Sequence, residues 1–96
     1  MHEYLNRRYA LAIYEVAEGK GKVESYLSQL RELVSVINSN EEFLLVIKHP
    51  QISISKKKEI FTNTFKDAID KDLIGFLLLL VEKHRILFLS GILEEI

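Results

Sequence analysis

Residues 73–81 read Leu-Ile-Gly-Phe-Leu-Leu-Leu-Leu-Val, an apolar run without a charged or polar side chain. The run is too short to span a bilayer, which takes about 20 residues. As a helix it would be apolar on every side, whereas a surface helix has one apolar face. Such a helix lies in the middle of a bundle, or it faces its own core on one side and a partner on the other. A strand over 76–81 is the alternative, but no second strand is predicted to pair with it.

The overall composition narrows the possible functions. The 96 residues are 48% hydrophobic and 28% charged, which is typical of one globular domain. The formal charge of -1 gives no electrostatic reason to bind nucleic acid or anionic lipid. The sequence has no cysteine, so it offers neither a disulfide framework nor a cysteine metal site. The charged N-terminus is not followed by an apolar signal segment, and we expect a cytosolic protein or a soluble part of a larger assembly.

Two amphipathic helices are predicted in the first part of the chain. Apolar residues recur at helical spacing over 3–18 and over 23–38. Residues 19–22, Gly-Lys-Gly-Lys, end the first helix, and a glycine there can supply the left-handed residue of a C-cap. The second helix has one apolar face and one polar face. The first carries additional apolar residues outside its main stripe, more than one core face requires.

Two shorter helices are predicted next. A capping box, in which Ser39 is the N-cap and Glu42 reaches back, begins the third helix, which continues to about residue 48. Pro50 ends it, because proline disfavours helical backbone at the preceding residue. Either Ser53 or Ser55 can cap the fourth helix, which continues to about residue 65.

The apolar run belongs to the fifth helix, and a sixth follows it. Asp70 or Asp72 can cap the fifth helix, where a carboxylate suits the positive end of the helix dipole. This helix is expected to continue through residue 83. A break near 84–85 leads to a sixth segment over 87–95. The predicted fold is therefore all-α, a compact six-helix bundle of short antiparallel helices.

No catalytic or metal-binding motif is recognised in the sequence. His2, His49 and His84 are far apart, and none belongs to H-E-x-x-H. The nucleophile motif G-x-S-x-G and the dinucleotide-binding glycines are also absent. Residues 56–58, Lys-Lys-Lys, are interpreted as a solvated face of the fourth helix. A general acid–base pair could still be assembled from distant residues. We therefore favour a binding module over an enzyme, with no catalytic residue, metal or cofactor predicted.

The first and fifth helices both carry surplus apolar surface. If they are neighbours, this surplus could line a groove that receives the apolar face of a partner helix. The alternative is that one of the two helices lies centrally and is buried on all sides. The spacing of apolar residues is the same in both arrangements.

The motif at 8–14 and two later segments, 49–61 and 77–86, each resemble a segment of one known family. It is the delta subunit family of the bacterial rotary ATP synthase, whose mitochondrial relative is the oligomycin-sensitivity-conferring protein. Residues 8–14, Arg-Tyr-Ala-Leu-Ala-Ile-Tyr, resemble its opening motif R-Y-A-x-A-[LI]-[FY]. Residues 49–61 resemble the middle of the family's N-terminal domain. Residues 77–86 resemble its segment L-x-x-L-x-E-N-[GR]-R-L, and 92–96 resemble the sequel. Lys83 and His84 replace the usual Asn-Gly, which disfavours a left-handed residue at that turn.

The resemblance implies a structural function. Residues 1–96 would form the family's N-terminal domain, with the C-terminal stalk-binding domain outside this chain. The domain would bind the N-terminal helix of an alpha subunit and so couple the catalytic head to the peripheral stalk during ATP synthesis and proton transport. It would be a peripheral subunit at the cytoplasmic face of the cell membrane, without membrane insertion or nucleic-acid binding. The alternative function, an unrelated six-helix signalling-type adapter, is disfavoured by the motif at 8–14.

The resemblance also implies which residues form the partner-helix groove. Ala12 and Gly75 are expected to matter because they are small and let another backbone approach. Some of the residues in the set could face the core instead. The groove candidates are Tyr9, Ala12, Ile13 and Val16 on the first helix, and Gly75, Phe76, Leu79 and Lys83 on the fifth.

Overall fold

The structure, a computed structural model, describes residues 2–96, with side chains described from Tyr4 onward. Six α-helices follow one another, and a single 3-10 turn, Ile86–Phe88, precedes the last. The helices are α1 His2–Gly19, α2 Val23–Ser39, α3 Glu41–Lys48, α4 Ile54–Phe65, α5 Lys71–Glu82 and α6 Leu89–Glu94. No strand occurs in 2–96. The predicted all-α, six-helix fold is confirmed, and residues 76–81 are helical, as expected from the lack of a second strand to pair with them.

Helix α5 is the most buried element of the bundle. Leu73 and Leu80 are fully buried, and Leu77 is only 1% exposed. The helix packs mainly against α4 and also against α1. Gly75 and Leu79, however, lie on a strip of α5 that faces solvent. The helix therefore faces its own core over most of its circumference and leaves one strip uncovered.

Three phenylalanines connect α3 to α4. The ring centroids of Phe43 and Phe61 are 4.9 Å apart, and those of Phe43 and Phe65 are 5.7 Å apart with the rings edge to face. Aromatic pairs in this range contribute about 0.5–1.5 kcal/mol each beyond the area that they bury. This cluster anchors the short helix α3, in which Ile47 is the one residue classed as buried.

Helices α1 and α5 end in the same backbone motif. After α1, Gly21 has φ 66°, and the Lys22 N–H donates to the Ala17 carbonyl at 2.8 Å. After α5, His84 has φ 59°, and the Arg85 N–H donates to the Leu80 carbonyl at 2.7 Å. Both are Schellman motifs with a left-handed residue. The predicted left-handed glycine is confirmed.

The expectation against a left-handed residue at positions 83–84 is wrong. His84 adopts this conformation because the residues on either side fix the turn: Leu80 and Val81 are buried before it, and Ile86 is buried after it. Histidine is also one of the residues in which positive φ is more frequent than average. Tertiary packing thus overrides the local preference for Gly or Asn.

The cap of α3 differs from the predicted capping box. Asn40, not Ser39, is the N-cap, and its side-chain oxygen accepts from the Phe43 N–H at 3.0 Å. Ser39 is the last residue of α2, and its hydroxyl donates to the Val36 carbonyl at 3.2 Å. Asparagine caps a helix as well as serine does. The observed N-cap therefore lies one residue after the predicted one.

The caps of α4 and α5 were each predicted as one of two residues. Ser53 caps α4, and its hydroxyl accepts from the Lys56 N–H at 3.1 Å. Asp70 occupies the N-cap position of α5, but its side chain makes no capping hydrogen bond and lies 3.5 Å from Lys22 Nζ. The Asp70 N–H instead donates to the Gln29 side chain at 2.8 Å, which joins α2 to the start of α5.

Candidate functional site

A groove runs between α1 and α5, and the two helices are antiparallel there. Lys20, just after α1, forms an ion pair with Asp72 in the first turn of α5. The groove has a volume of about 250 Å³. Six of the eight residues predicted for the partner-helix groove line it together. These are Ala12, Ile13, Val16, Gly75, Phe76 and Leu79.

The lining residues divide into a buried floor and an exposed rim. Ile13 and Phe76 form the floor, and only 4% and 8% of their surfaces are exposed. Val16 and Leu79 are each 41% exposed and form the rim. Two of the lining residues, one on each helix, are small. The groove is therefore apolar, open to solvent and shallow enough for a second backbone to approach.

Gly75 leaves open space on the α5 side of the groove. A Cβ atom built at this position would have no neighbouring atom within 4 Å beyond the helix's own backbone. No intramolecular contact in the described part of the chain therefore requires a glycine here. Its presence in the middle of a helix costs stability relative to alanine. The free space faces the groove, which is where an approaching partner would use it.

Tyr9 and Lys83, the other two predicted residues, do not line the groove. Tyr9 is half-buried and packs against the core one turn before Ala12. Lys83 is exposed at the C-cap of α5, and its N–H donates to the Leu79 carbonyl at 3.0 Å. Because the helices are antiparallel, both residues lie toward the end of the groove opposite Asp72.

Asp72 also lines the groove, although its sequence position suggested only a helix cap. Its carboxylate accepts from the Tyr26 hydroxyl at 2.7 Å and pairs with Lys20. The hydrogen bond from Lys20, and then the one from Tyr26, lower the pKa of Asp72. Burial, together with the hydrogen bond to Asp72, raises the pKa of Tyr26 to about 12. One end of the groove therefore carries an ionised carboxylate over the ordinary pH range.

A signal for Asp72 was present in the sequence. Asp72, Gly75, Phe76 and Leu79 are separated by three and four residues, so they share one face of α5. The acidic residue was missed because the same position also suits a helix N-cap. The structure assigns the cap position to Asp70, which leaves the Asp72 side chain free to face α1 and α2.

The described residues offer no metal site. No three side chains among His, Cys, Asp and Glu come together in the described part of the chain. The ring of His49 accepts from the Gln51 N–H at 3.2 Å through its Nδ1 atom. The exposed His84 lines a cavity that is separate from the groove, and His49 is not among the lining residues of that cavity. The side chain of His2 lies outside the described residues. No helix in 2–96 combines the length and apolarity needed to cross a membrane.

Comparison with known proteins gives one consistent result. A family model described as the ATP synthase delta (OSCP) subunit matches residues 5–96. The chain is 60% identical over 95 residues to ATP synthase subunit delta of Clostridium botulinum strain Eklund 17B / Type B. It is 55% identical to the protein of the same name from strain Loch Maree / Type A3 and 54% identical to that from strain Kyoto / Type A2. Each match covers 99% of this chain and 53% of the relative. The chain thus spans about half the length of these curated relatives.

Proposed function

We propose a function from one premise: this chain belongs to the ATP synthase delta (OSCP) subunit family. The chain is a non-catalytic stator adapter of a rotary ATP synthase. It binds the N-terminal helix of an alpha subunit in the groove between α1 and α5. A second part of the whole protein binds the peripheral stalk, so the catalytic head does not turn with the central shaft. The whole protein is then a peripheral subunit of a membrane complex, on the cytoplasmic face.

The observation that carries this proposal is the apolar groove itself. Its rim exposes Val16 and Leu79, while Ala12 and Gly75 leave room for a helix backbone. A monomeric domain rarely leaves such residues clustered without a use for them. The family match over 5–96 disfavours the alternative of an unrelated signalling-type adapter.

The expected affinity follows from the residues that a partner helix would bury. Three or four apolar anchor side chains contribute about 1.5–3 kcal/mol each when they are fully buried. The partner must lose conformational entropy when it becomes ordered, which cancels part of this gain. A micromolar dissociation constant corresponds to about 8 kcal/mol, so the affinity that we expect, micromolar or tighter, requires that most of the upper part of this range remains after that loss.

A titration tests the proposal directly. The isotope-labelled chain is titrated with a peptide that contains the N-terminal segment of the alpha subunit from the same organism, and backbone amide shifts are recorded. We expect shifts concentrated in 9–16 of α1 and in 72–83, which comprises most of α5 and its C-cap. An absence of shifts at millimolar peptide would reject the groove as the alpha-subunit site.

A pair of variants separates the groove from the rest of α1. Ala12→Trp places an indole in the groove and should abolish peptide binding, while the bundle keeps its cooperative melt because Ala12 is exposed. Leu11→Trp is the matched control, since Leu11 is adjacent, 58% exposed and lines a different depression with Tyr14 and Ile96. Equal affinity in Ala12→Trp and wild type would contradict the assignment. Loss of the cooperative melt in Ala12→Trp would show that residue 12 belongs to the core.

A further inference from the structure

A second, larger cavity lies away from the groove. Its volume is about 570 Å³, within the roughly 300–1,000 Å³ that small-molecule pockets occupy. Four separate segments form its walls: the end of α3, the connection from α3 to α4, the first turns of α4, and the turn after α5. The apolar lining residues are Ile47, Pro50, Ile52, Ile54, Phe61, Val81, Ile86 and Leu87.

The polar residues of this cavity are basic, apart from one serine. Lys48, Lys57 and His84 line it together with Ser53. No aspartate or glutamate is among the lining residues that the structure describes. A mostly apolar cavity with basic side chains and no acidic one is complementary to a molecule that has an apolar body and an anionic head.

The three consecutive lysines of α4 have different surroundings. Lys56 lies 3.7 Å from Glu59, and Lys58 lies 3.1 Å from Glu82. Lys57 is half-buried and lines the cavity, and no carboxylate among the side chains described from Tyr4 onward comes within 4.0 Å of its Nζ atom. Lysines near the start of a helix are also unfavourable next to the positive end of its dipole. The fold therefore gives no reason for Lys57 to be a lysine, whereas an anionic ligand would.

We propose that this cavity binds an amphiphilic carboxylate, with its head group at Lys57 and Lys48 and its apolar body against Ile52, Ile54 and Leu87, three apolar lining residues that are half-buried or exposed. Walls from four segments enclose the cavity more than two helices enclose the α1–α5 groove, which favours a small molecule over a helix. The site is separate from the groove and is independent of the proposed stator function.

The probe is decanoate, and it is compared with uncharged decan-1-ol and with decylammonium. Each compound is titrated into the isotope-labelled chain while backbone amide shifts are recorded. We expect decanoate to shift the amides of 47–57, 81 and 84–87 with a dissociation constant below millimolar. Decan-1-ol should bind at least about tenfold more weakly, because one hydrogen bond to a charged group corresponds to tenfold or more in affinity.

Two adjacent lysines provide a matched pair of variants. Lys57→Glu and Lys56→Glu change the net charge equally and lie in the same part of α4, but only Lys57 lines the cavity. Lys57→Glu should weaken decanoate binding at least about tenfold, and Lys56→Glu less than about twofold. Lys48→Glu is a second cavity variant in case Lys57→Glu fails to fold, which a thermal melt would show.

Several outcomes would overturn this proposal. One is equal affinity for decanoate and decan-1-ol, because the cavity would then be selecting only for apolar surface. Others are shifts confined to the α1–α5 groove, an equal effect of the two α4 variants, and no shifts with millimolar decanoate. None of these results bears on whether the alpha-subunit peptide binds the groove.

Discussion

Replacing Gly75 with alanine should stabilise the isolated chain and weaken its binding to the partner helix. Gly75 is the fifth residue of α5 and is exposed to solvent. A Cβ atom there would meet no atom within 4 Å outside the helix's own backbone. The substitution therefore gains the intrinsic helix preference of alanine without a steric penalty.

The expected gain is about 0.8–1 kcal/mol in the free energy of unfolding. For a domain of this size, that corresponds to a rise of about 4–8 °C in the melting temperature. The urea midpoint should rise by roughly 0.3–1 M with an unchanged slope. Urea unfolding followed by far-ultraviolet circular dichroism measures the free energy of unfolding, the midpoint and the slope. A thermal melt followed by the same signal measures the melting temperature.

Gly91→Ala is the matched control, because it is the same substitution in another helix. A Cβ atom at Gly91 would lie 2.5 Å from Nδ2 of Asn6, so that side chain must move. We expect a smaller gain than at Gly75, or a loss. If Gly75→Ala stabilised the protein no more than Gly91→Ala does, the reasoning from free space would be refuted.

The same Gly75→Ala variant also tests the groove. A methyl group added where a partner backbone approaches should weaken peptide binding by roughly fivefold or more, since overpacking an interface costs about 1 kcal/mol or more. Isothermal titration with the alpha-subunit peptide measures this change. A variant that is more stable and binds equally well would mean that the partner does not approach α5 at this position.

Three further predictions concern the described core and turns. His84→Gly should raise the free energy of unfolding by about 1 kcal/mol in urea unfolding, because glycine adopts the left-handed conformation without strain; a loss of stability would contradict the assigned φ. Leu80→Ala should cost about 2–5 kcal/mol, since Leu80 is fully buried, whereas Leu79→Ala should change stability by less than about 0.5 kcal/mol and weaken the peptide complex. Burial, together with the hydrogen bond to Asp72, raises the pKa of Tyr26 from its ordinary 10.0 to about 12, so the protonated hydroxyl contributes fully to stability below pH 10, and this contribution is lost as the pH rises toward 12. The stability advantage of wild type over Tyr26→Phe should therefore shrink between pH 10 and pH 12. Urea midpoints of both proteins, measured at each pH, test this. A constant advantage over that interval would refute the raised pKa of Tyr26.

Periodicity was sufficient to predict the helices but not the role of each residue on them. Apolar spacing and glycine or proline breaks give the order and type of all six helices, because helix–helix packing requires these patterns. The caps were harder, since Ser39 and Asn40 can both accept a hydrogen bond from the next turn. Local residue preference also failed at His84, where buried neighbours on both sides impose the turn.

Which groove candidates face the core could not be deduced from their spacing. Ile13 and Phe76 are neighbours of Ala12 and Gly75 on the same two helices. Ile13 and Phe76 are nevertheless buried in the floor, whereas Ala12 and Gly75 are exposed at the rim. The difference depends on the distance between α1 and α5, which is a tertiary property. The hydrogen bond between Asp72 and Tyr26 could not be deduced from spacing either, because Tyr26 is in α2, 46 residues away in sequence.

Gly75 connects the stability of the domain to its proposed function. In the isolated chain this glycine is the less stable choice by roughly 1 kcal/mol, and no described neighbour requires it. Positions that break a local preference without a compensating intramolecular contact are often positions that serve binding. Leu79, one turn later, is exposed at the rim of the same groove, where a second molecule could cover its apolar surface. A partner backbone placed against Gly75 and an apolar side chain placed against Leu79 would account for both residues at once.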